Sequence, residues 1–224
     1  MIIAGAGAGT RLGWGQKAFL TLAGKTLLAR ALELARALPE VGEVVVAAPP
    51  DAVAEASLEA ARVASDLNVR VVAGGASRRL SVAAALAELG ACDLVLVHDV
   101  ARPLATPELC RRVLEAARQH GAAIPVLPVH DALKQLGPGG VELGLDRSRL
   151  VLAQTPQGFS RDLLTRAHEL AAAGGREPDD DSELILRSGH QVHVVAGEEA
   201  NLKLTRSGDL ELLEALLSLR GARL

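Results

Sequence analysis

Aromatic residues are almost absent from this sequence of 224 residues, which has two Phe, one Trp and no Tyr. Hydrophobic residues nevertheless make up 49 % of the chain, so we expect a packed core built from Ala, Leu and Val. A chain of this length can bury one sizeable α/β core. We therefore expect a single domain over residues 1–224.

Other scarcities exclude several protein classes. The two cysteines, Cys92 and Cys110, have neither metal-site nor redox-motif spacing, as is typical of a reduced cytoplasmic protein. The net charge is −3, so the basic excess of a nucleic-acid-binding protein is missing. No apolar run reaches the ~18 residues of a membrane span, and the first residues lack a signal-peptide layout. We expect a cytoplasmic protein with neither a nucleic-acid nor a membrane partner.

Lysine is also scarce. The sequence contains only four, Lys17, Lys25, Lys134 and Lys203, and Arg makes up the rest of its 24 Lys and Arg residues. A chain that uses Arg so widely keeps Lys where a compact, mobile ammonium is needed. This composition makes Lys17 and Lys203 candidate functional residues.

The most informative segment is the glycine-rich loop that follows a very short first strand. It reads G-A-G-A-G-T-R over residues 5–11, and Lys17 follows it. Backbone N–H groups freed by glycine can surround phosphate oxygens, while Arg11 and Lys17 neutralise their charge. The pattern indicates a loop that grips a triphosphate and stabilises charge during attack at the α-phosphate. A loop with two solvated cations is the structural alternative.

Two other glycine motifs fail on spacing. The dinucleotide fingerprint needs a glycine where Thr10 or Leu12 stands, and no acidic residue about 20 positions on would hold a ribose. The P-loop pattern that would end at residues 24–26 needs a glycine where Phe19 stands. We interpret residues 24–26 as a turn that enters a helix.

Short apolar strands alternate with helices along most of the chain. The predicted strands cover 43–48, 69–73, 93–97, 122–127, 190–195 and 201–204, and the predicted helices cover 27–38, 51–64, 80–89, 107–120, 160–172, 180–188 and a last segment after Ser207. This order predicts an α/β, Rossmann-like, mostly parallel sheet with helices on both faces. Residues 128–150 break the alternation and indicate a protruding β-arm, which we expect to pack on a partner chain because it cannot bury its own apolar side.

Ligands of open parallel sheets bind beyond the carboxyl ends of the strands, where the glycine loop, 74–81, 98–103 and 201–203 should meet. Asp99 follows an apolar strand there, so it is either a Mg²⁺ ligand or the cap of a turn. The position of Arg102 suits either an ion pair that holds Asp99 in place or a contact with phosphate.

Two further positions have a functional and a structural interpretation. Ser81, with the backbone of Gly75, is suited to reading a base edge, but it also fits ordinary support of a helix start. Arg147, beyond the arm, is suited to a second phosphorylated substrate, but it also fits a surface salt bridge with Asp146. The acidic run at 179–181 is interpreted as a helix N-terminus.

These motifs together resemble the 2-C-methyl-D-erythritol 4-phosphate cytidylyltransferase family of the nucleotidyltransferase superfamily. The resemblance covers nearly the whole chain. It rests on G-A-G-A-G-T-R (5–11), Q-K-A-F-L (16–20), G-G-A-S-R-R-L-S-V (74–82), V-H-D-V-A-R-P (97–103), V-H-D-A-L-K (129–134), D-R (146–147), Q-T-P-Q-G-F (154–159) and N-L-K-L-T-R-S-G-D-L (201–210). It implies transfer of CMP from CTP to 2-C-methyl-D-erythritol 4-phosphate in non-mevalonate isoprenoid biosynthesis, with release of pyrophosphate.

The resemblance also implies residue roles. Arg11 and Lys17 would be catalytic, stabilising the pentacoordinate α-phosphate. The nucleotide would be bound by Ala6, Gly7, Gly9, Gly75, Ala76, Ser81, Asp99, Arg102 and Lys203. Asp99 would also hold Mg²⁺ or another divalent ion, and Arg147 and Thr155 would contact the sugar-alcohol phosphate. The 128–150 arm would form a homodimer, with Arg147 serving the partner's site.

The chain departs from the family pattern at three positions. Gln16 stands where Pro is usual, and Ala132 and Asp179 stand where Thr is usual. Because Ala132 has no hydroxyl, the usual substrate contact at this position is not expected here. A ribitol 5-phosphate cytidylyltransferase, a nucleotide-binding protein without catalysis and a pyrophosphorylase for another base are the alternatives.

Overall fold

The computed structural model describes residues 1–7 and 15–221, whose largest element is an eight-stranded sheet. The strands are β1 (Ile2–Ala4), β2 (Thr21–Leu22), β3 (Lys25–Thr26), β4 (Val44–Ala48), β5 (Val69–Ala73), β6 (Leu94–Asp99), β7 (Ala122–Pro128), β8 (Lys134–Gly137), β9 (Gly140–Gly144), β10 (Val151–Ala153), β11 (Gln157–Ser160) and β12 (His193–Ala196). The helices are α1 (Leu27–Arg36), α2 (Val53–Val63), α3 (Arg78–Glu88), α4 (Pro107–His120), α5 (Arg161–Ala172), α6 (Asp181–Arg187) and α7 (Gly208–Gly221). The strand order is β10-β7-β11-β6-β1-β4-β5, and β12 pairs with β7.

The sheet combines parallel and antiparallel pairs. Strands β6, β1, β4 and β5 are parallel neighbours, and β12 is parallel to β7. Strands β10 and β11 are antiparallel to their neighbours. The predicted parallel α/β sheet is confirmed in its β6-β1-β4-β5 half. The antiparallel strands were missed because each has only three or four residues, too few to show a period.

Both faces of the central strands are apolar, which is why helices cover both. In β4, Val44 and Val46 pack into the cluster that includes α1 and α2, whereas Val45 packs into the cluster with α3, α5 and α6. Every residue of β4 is at most 1 % exposed. A strand buried on both faces reads as a continuous apolar run, as the sequence shows here.

Helix starts follow local capping chemistry. Ala23 and Gly24 adopt positive φ in a tight turn, and the Thr26 hydroxyl then accepts from the Ala29 N–H at 2.9 Å. The predicted turn is confirmed at residue 24, but Lys25 and Thr26 form the short strand β3 before α1 begins. The Thr106 hydroxyl caps α4 in the same way, accepting from the Leu109 N–H at 3.1 Å.

The predicted strand at 201–204 is wrong. This segment has no ladder within the part of the chain that the structure describes, and the Leu204 N–H donates to the Ala101 carbonyl at 2.8 Å instead. Its backbone is therefore held against the loop after β6. Helix α7 does begin just after Ser207, and the Asp209 carboxylate in its first turn accepts from the backbone N–H groups of Thr205 and Arg206.

Strands β8 and β9 form a separate two-stranded sheet, so the predicted hairpin within 128–150 is present. Its side chains Leu136, Val141 and Leu143 are each at least 70 % exposed.

Across residues 1–7 and 15–221, every helix is too short or too polar to cross a bilayer.

Candidate functional site

The strand register brings four loops to one edge of the sheet. Ala4 pairs with Ala47 on one side and with Asp99 on the other, and Ala48 pairs with Ala73. The loops that follow β1, β4, β5 and β6 therefore start side by side. This is the edge at which the sequence predicts a ligand.

Glycines allow two of these loops to touch. The Gly74 N–H donates to the Ala48 carbonyl at 2.7 Å, and a Cβ added at Gly74 would lie 2.2 Å from the Ala6 Cβ. A Cβ added at Gly75 would lie 2.4 Å from the Leu80 Cβ. Both distances are far below the ~3.5 Å of a carbon–carbon contact. The Ala6 side chain of the glycine loop thus packs against the backbone of Gly74, with Gly7 exposed beside it.

Ser81 fixes the turn that precedes α3. Its hydroxyl donates to the Ser77 carbonyl at 2.8 Å and accepts from the Gly75 N–H at 3.1 Å, and the residue is buried. Ser77 caps the helix by accepting from the Leu80 N–H at 3.2 Å. Gly75 and Ala76 are exposed on this turn. Contact of this turn with a base stays a prediction, in which Ser81 acts by holding Gly75 in place.

Asp99 lies between two cations at the end of β6. Its Oδ1 accepts from Arg78 Nε at 2.9 Å, and its Oδ2 accepts from Lys203 Nζ at 2.6 Å. Burial alone would raise the pKa of Asp99, but the charges of Arg78 and Lys203 outweigh burial and hold the pKa well below its usual range. Asp99 is therefore an anion at every physiological pH.

Arg78 continues the charge network away from the edge. Its Nη1 donates to Asp181 Oδ2 at 2.6 Å, and Asp181 Oδ1 lies 3.1 Å from His168 Nε2. Burial opposes the charge on Arg78, but the two carboxylates prevail and raise its pKa above its usual value. Sequence reasoning missed Arg78 and His168, and it treated Asp181 only as part of a helix start. The one available signal was the pair of adjacent arginines inside the 74–82 motif.

The 201–204 segment brings both candidate lysines to the same edge. Lys203 pairs with Asp99, and 40 % of its side chain is exposed to solvent. Lys17 Nζ donates to the Leu204 carbonyl at 2.9 Å. The predicted catalytic Arg11 and the predicted nucleotide ligand Gly9 lie outside the described residues.

Buried amides hold this segment in place. Gln154 Nε2 donates to the Glu198 carbonyl at 2.9 Å, and Asn201 Nδ2 donates to the Thr155 carbonyl at 2.8 Å. Arg102 donates to the carbonyls of Asn201 and Ala153 at 2.7 and 3.1 Å. Arg102 forms no ion pair with Asp99 among the described residues, so Arg78 supplies the brace that was expected of Arg102.

Thr155 and His98 are buried residues that lie beside Asp99 at the end of β6. The Thr155 hydroxyl accepts from the Asp99 N–H at 3.0 Å and lies 3.3 Å from His98 Nδ1. Burial lowers the pKa of His98 to about 4, so its imidazole is neutral at pH 7. His98 is thus a packed residue, with 1 % of its surface exposed. The role of Thr155 toward the second substrate stays a prediction.

Arg147 lies apart from this cluster. Its Nη1 donates to the His130 carbonyl near the base of the β8–β9 hairpin, and the side chain is exposed. Its role toward a second substrate likewise stays a prediction.

The edge offers few side chains that could hold a metal ion. No group of three or more His, Cys, Asp or Glu side chains comes together in residues 1–7 and 15–221. The acidic run at 179–181 lies at a helix N-terminus, as predicted, and its side chains point apart: Asp179 is exposed, Asp180 caps α6 and Asp181 faces Arg78. Asp99 is the carboxylate that ends β6 at this edge. One carboxylate suits a Mg²⁺ ion whose remaining ligands are phosphate oxygens and water.

Comparison with known proteins gives one consistent result. Residues 1–219 match the family model described as IspD: 2-C-methyl-D-erythritol 4-phosphate cytidylyltransferase. A protein of that name from Acidobacterium capsulatum is 40 % identical over 235 residues, covering 100 % of this chain and 98 % of the relative. The crystal structure of the enzyme of that name from Thermus thermophilus superposes with a TM-score of 0.80 at 40 % identity, covering 96 % of each chain.

A 4-diphosphocytidyl-2C-methyl-D-erythritol synthase structure from Anaerococcus prevotii superposes with a TM-score of 0.84 at 28 % identity, covering 97 % of this chain and 96 % of that one. The matches extend over the strand-end loops and the Asp99 cluster as well as the sheet. The chain therefore belongs to the IspD family, the 2-C-methyl-D-erythritol 4-phosphate cytidylyltransferases.

Proposed function

We propose that the edge around Asp99 is the site at which this chain transfers CMP from CTP to 2-C-methyl-D-erythritol 4-phosphate. The observation that carries this assignment is the meeting of Lys17, Lys203 and Asp99 beside the glycine loop. Cations and backbone N–H groups at the carboxyl ends of parallel strands suit a bound triphosphate.

In this reaction the phosphate of the acceptor attacks the α-phosphate of CTP. A new P–O bond forms there, the bond between the α-phosphorus and its bridging oxygen breaks, and pyrophosphate leaves. The attacking phosphate is already anionic, so no side chain has to remove a proton. The protein's main contribution is to position both phosphates and to stabilise the charge that develops between them.

Arg11 and Lys17 are the proposed catalytic cations, and Ala6, Gly7 and Gly9 supply the loop around the triphosphate. Lys17 suits this role because its ammonium reaches the 201–204 segment from the end of the loop.

Gly75 and Ala76 are proposed to contact the cytidine moiety from the exposed turn that Ser81 stabilises. Lys203 is proposed to contact the phosphates through its solvent-facing side.

Mg²⁺, when bound, would neutralise and orient the triphosphate oxygens. Asp99 is the residue that would hold it. Arg102 is proposed to act indirectly, by tying residue 201 to residue 153 and so holding the segment that carries Lys203.

Pyrophosphate release with CTP and each of two acceptors tests the assignment. We expect turnover with 2-C-methyl-D-erythritol 4-phosphate and at most trace turnover with ribitol 5-phosphate. The reverse preference would overturn the acceptor. Turnover of neither acceptor at saturating CTP and Mg²⁺ would favour a binding protein without catalysis.

The β8–β9 hairpin is the proposed dimer contact, with Arg147 and Thr155 completing the acceptor site. Its exposed leucines support this, because a two-stranded hairpin with bare apolar side chains gains stability by packing on a partner. Leu143→Glu should convert a dimer to a monomer in analytical ultracentrifugation, whereas Leu58→Glu, at a similarly exposed site on α2, should not. A monomeric native chain would refute the proposal.

Mixing two inactive variants tests whether Arg147 serves the partner. In a symmetric dimer, a heterodimer of Lys17→Ala with Arg147→Ala keeps one complete site if Arg147 acts across the interface, so a random mixture regains about a quarter of native activity. If Arg147 acts within its own chain, the mixture regains nothing.

The unpaired cysteines support a cytoplasmic location for this reaction. Cys92 is exposed and Cys110 is buried, and both are free thiols. Burial raises the pKa of Cys110 to about 12, which makes this thiol unreactive.

A further inference from the structure

We propose that His168 and Asp181 are positioning residues for the transfer reaction, and that they act on Asp99 through Arg78. The inference rests on the role proposed above for Asp99. It concerns three side chains on α3, α5 and α6 that stand behind the edge where the ligands are proposed to bind.

The planar guanidinium of Arg78 joins two carboxylates. Its Nε bonds Asp99 Oδ1 at 2.9 Å and its Nη1 bonds Asp181 Oδ2 at 2.6 Å. Since these donors belong to one rigid plane, fixing the Asp181 end also fixes the direction from which Arg78 reaches Asp99. Arg78 Nη2 is buried without a hydrogen-bond partner among the described residues, so these two bonds determine its orientation.

His168 fixes the far end of this network. Its Nε2 lies 3.1 Å from Asp181 Oδ1, so this nitrogen carries the hydrogen. Its Nδ1 is buried without a partner in the part of the chain described, where a second N–H would be unsatisfied. His168 therefore donates to Asp181 through Nε2. Both oxygens of Asp181, which is 1 % exposed, are then engaged.

Stability alone does not account for such a network. A buried set of ion pairs commonly contributes no more stability than apolar side chains of similar volume. The network does fix the position of Asp99 Oδ1. The other carboxylate oxygen, Oδ2, therefore faces Lys203 and the proposed phosphate site. A rotation of Arg78 would pull Asp99 Oδ2 out of that position, although neither His168 nor Asp181 touches a ligand.

The pair of variants His168→Leu and His168→Gln separates positioning from packing. We expect His168→Leu to lower kcat about tenfold, the size typical of lost outer-shell hydrogen bonds, with KM for CTP changed less than threefold. The amide of His168→Gln can replace the Nε2 donor and should recover at least half of the native kcat. Leu163→Ala, on the same helix and buried, is the control and should lower the melting temperature without changing kcat.

Asp181→Asn provides a second measurement that does not depend on the histidine variants. It should lower kcat about tenfold in the native background and by less than threefold in an Arg78→Lys background, because its effect passes through Arg78. The Arg78 Nε–H resonance in a ¹⁵N NMR spectrum should shift in His168→Leu and remain near its native position in Leu163→Ala.

Equal kcat losses in His168→Leu and His168→Gln, or additive losses for Asp181→Asn and Arg78→Lys, would overturn the inference. Asp99→Asn identifies which hypothesis has failed. If this variant keeps native kcat, the proposed role of Asp99 is wrong. If it loses activity while His168→Leu and Asp181→Asn do not, only the positioning role is wrong.

Discussion

Gly74→Ala should damage the nucleotide site without removing any functional group. The added Cβ would lie 2.2 Å from the Ala6 Cβ and 2.9 Å from the Ser81 Oγ. Since carbon atoms pack at about 3.5 Å, the two loops would have to separate by roughly 1.3 Å. The φ of Gly74 is outside the left-handed region, so alanine at this position acts through contact rather than through backbone strain.

The magnitude follows from that displacement. Ala6 is proposed to contact the triphosphate, and Ser81 holds Gly75 at 3.1 Å. A misplacement of about 1 Å between reacting groups costs on the order of 100-fold in rate. We therefore expect kcat/KM for CTP to fall about 100-fold, accompanied by a weaker Kd for CTP, because both loops are displaced from the ligand.

Steady-state pyrophosphate release and calorimetric titration of CTP would measure these effects. Gly42→Ala makes the same chemical change where nothing lies within 4 Å of the added Cβ, so it should behave as the native chain. Ala6→Gly introduced into Gly74→Ala removes one of the two clashing carbons and should restore part of the activity. Gly74→Ala within twofold of Gly42→Ala would refute the close approach of the loops.

Three further predictions concern charge, pH and capping. Lys17→Ala should lower kcat at least 100-fold while Kd for CTP rises less than about fivefold, because the ammonium acts on charge that develops in the transition state. A fall in kcat matched by an equal rise in the Kd measured by calorimetry would contradict this. On account of His98, the free energy of unfolding should fall by about 3 kcal/mol as the pH is lowered from 7 to 4. The His98 imidazole takes up its proton near pH 6.5 in the unfolded chain, whereas its pKa is about 4 in the folded chain. Urea unfolding of His98→Gln should lack that part of the pH dependence, and an unchanged slope would mean that His98 is not the cause. Thr106→Ala should lower the free energy of unfolding by about 1 kcal/mol by removing the cap of α4, and an unchanged urea midpoint would show that the cap contributes little.

Local chemistry made much of the fold predictable. Helix α4 begins after Thr106 and ends at Gly121, which adopts positive φ, because a cap and a glycine act on the backbone beside them. Strand β5 occupies its predicted bounds because its apolar run is flanked by turn residues. The 201–204 segment is also apolar in part, but its backbone bonds go to the loop after β6, a partner about 100 residues away that no local pattern reveals.

The site was predictable to the extent that topology alone determines it. Parallel strands end at a common edge, so Asp99 and Gly75 could be expected together. Lys203 was also expected there, but on a strand at 201–204 that does not form. Which cation pairs with Asp99 was not predictable. Arg102 is three residues away in sequence, yet Arg78 on α3 and Lys203 make the ion pairs. The choice depends on how closely α3 packs against the sheet.

The sequence by itself determined the glycine loop, the alternation of strands and helices, and the motifs that mark the family, because capping, periodicity and loop chemistry need only neighbouring residues. The tertiary structure alone decided that Asp181 and His168 stand behind Arg78, and that Gly74 packs against Ala6. Those contacts join residues up to 103 positions apart. They exist only once helices α3, α5 and α6 have packed on one face of the sheet, since distance in space, rather than along the chain, decides which charges pair.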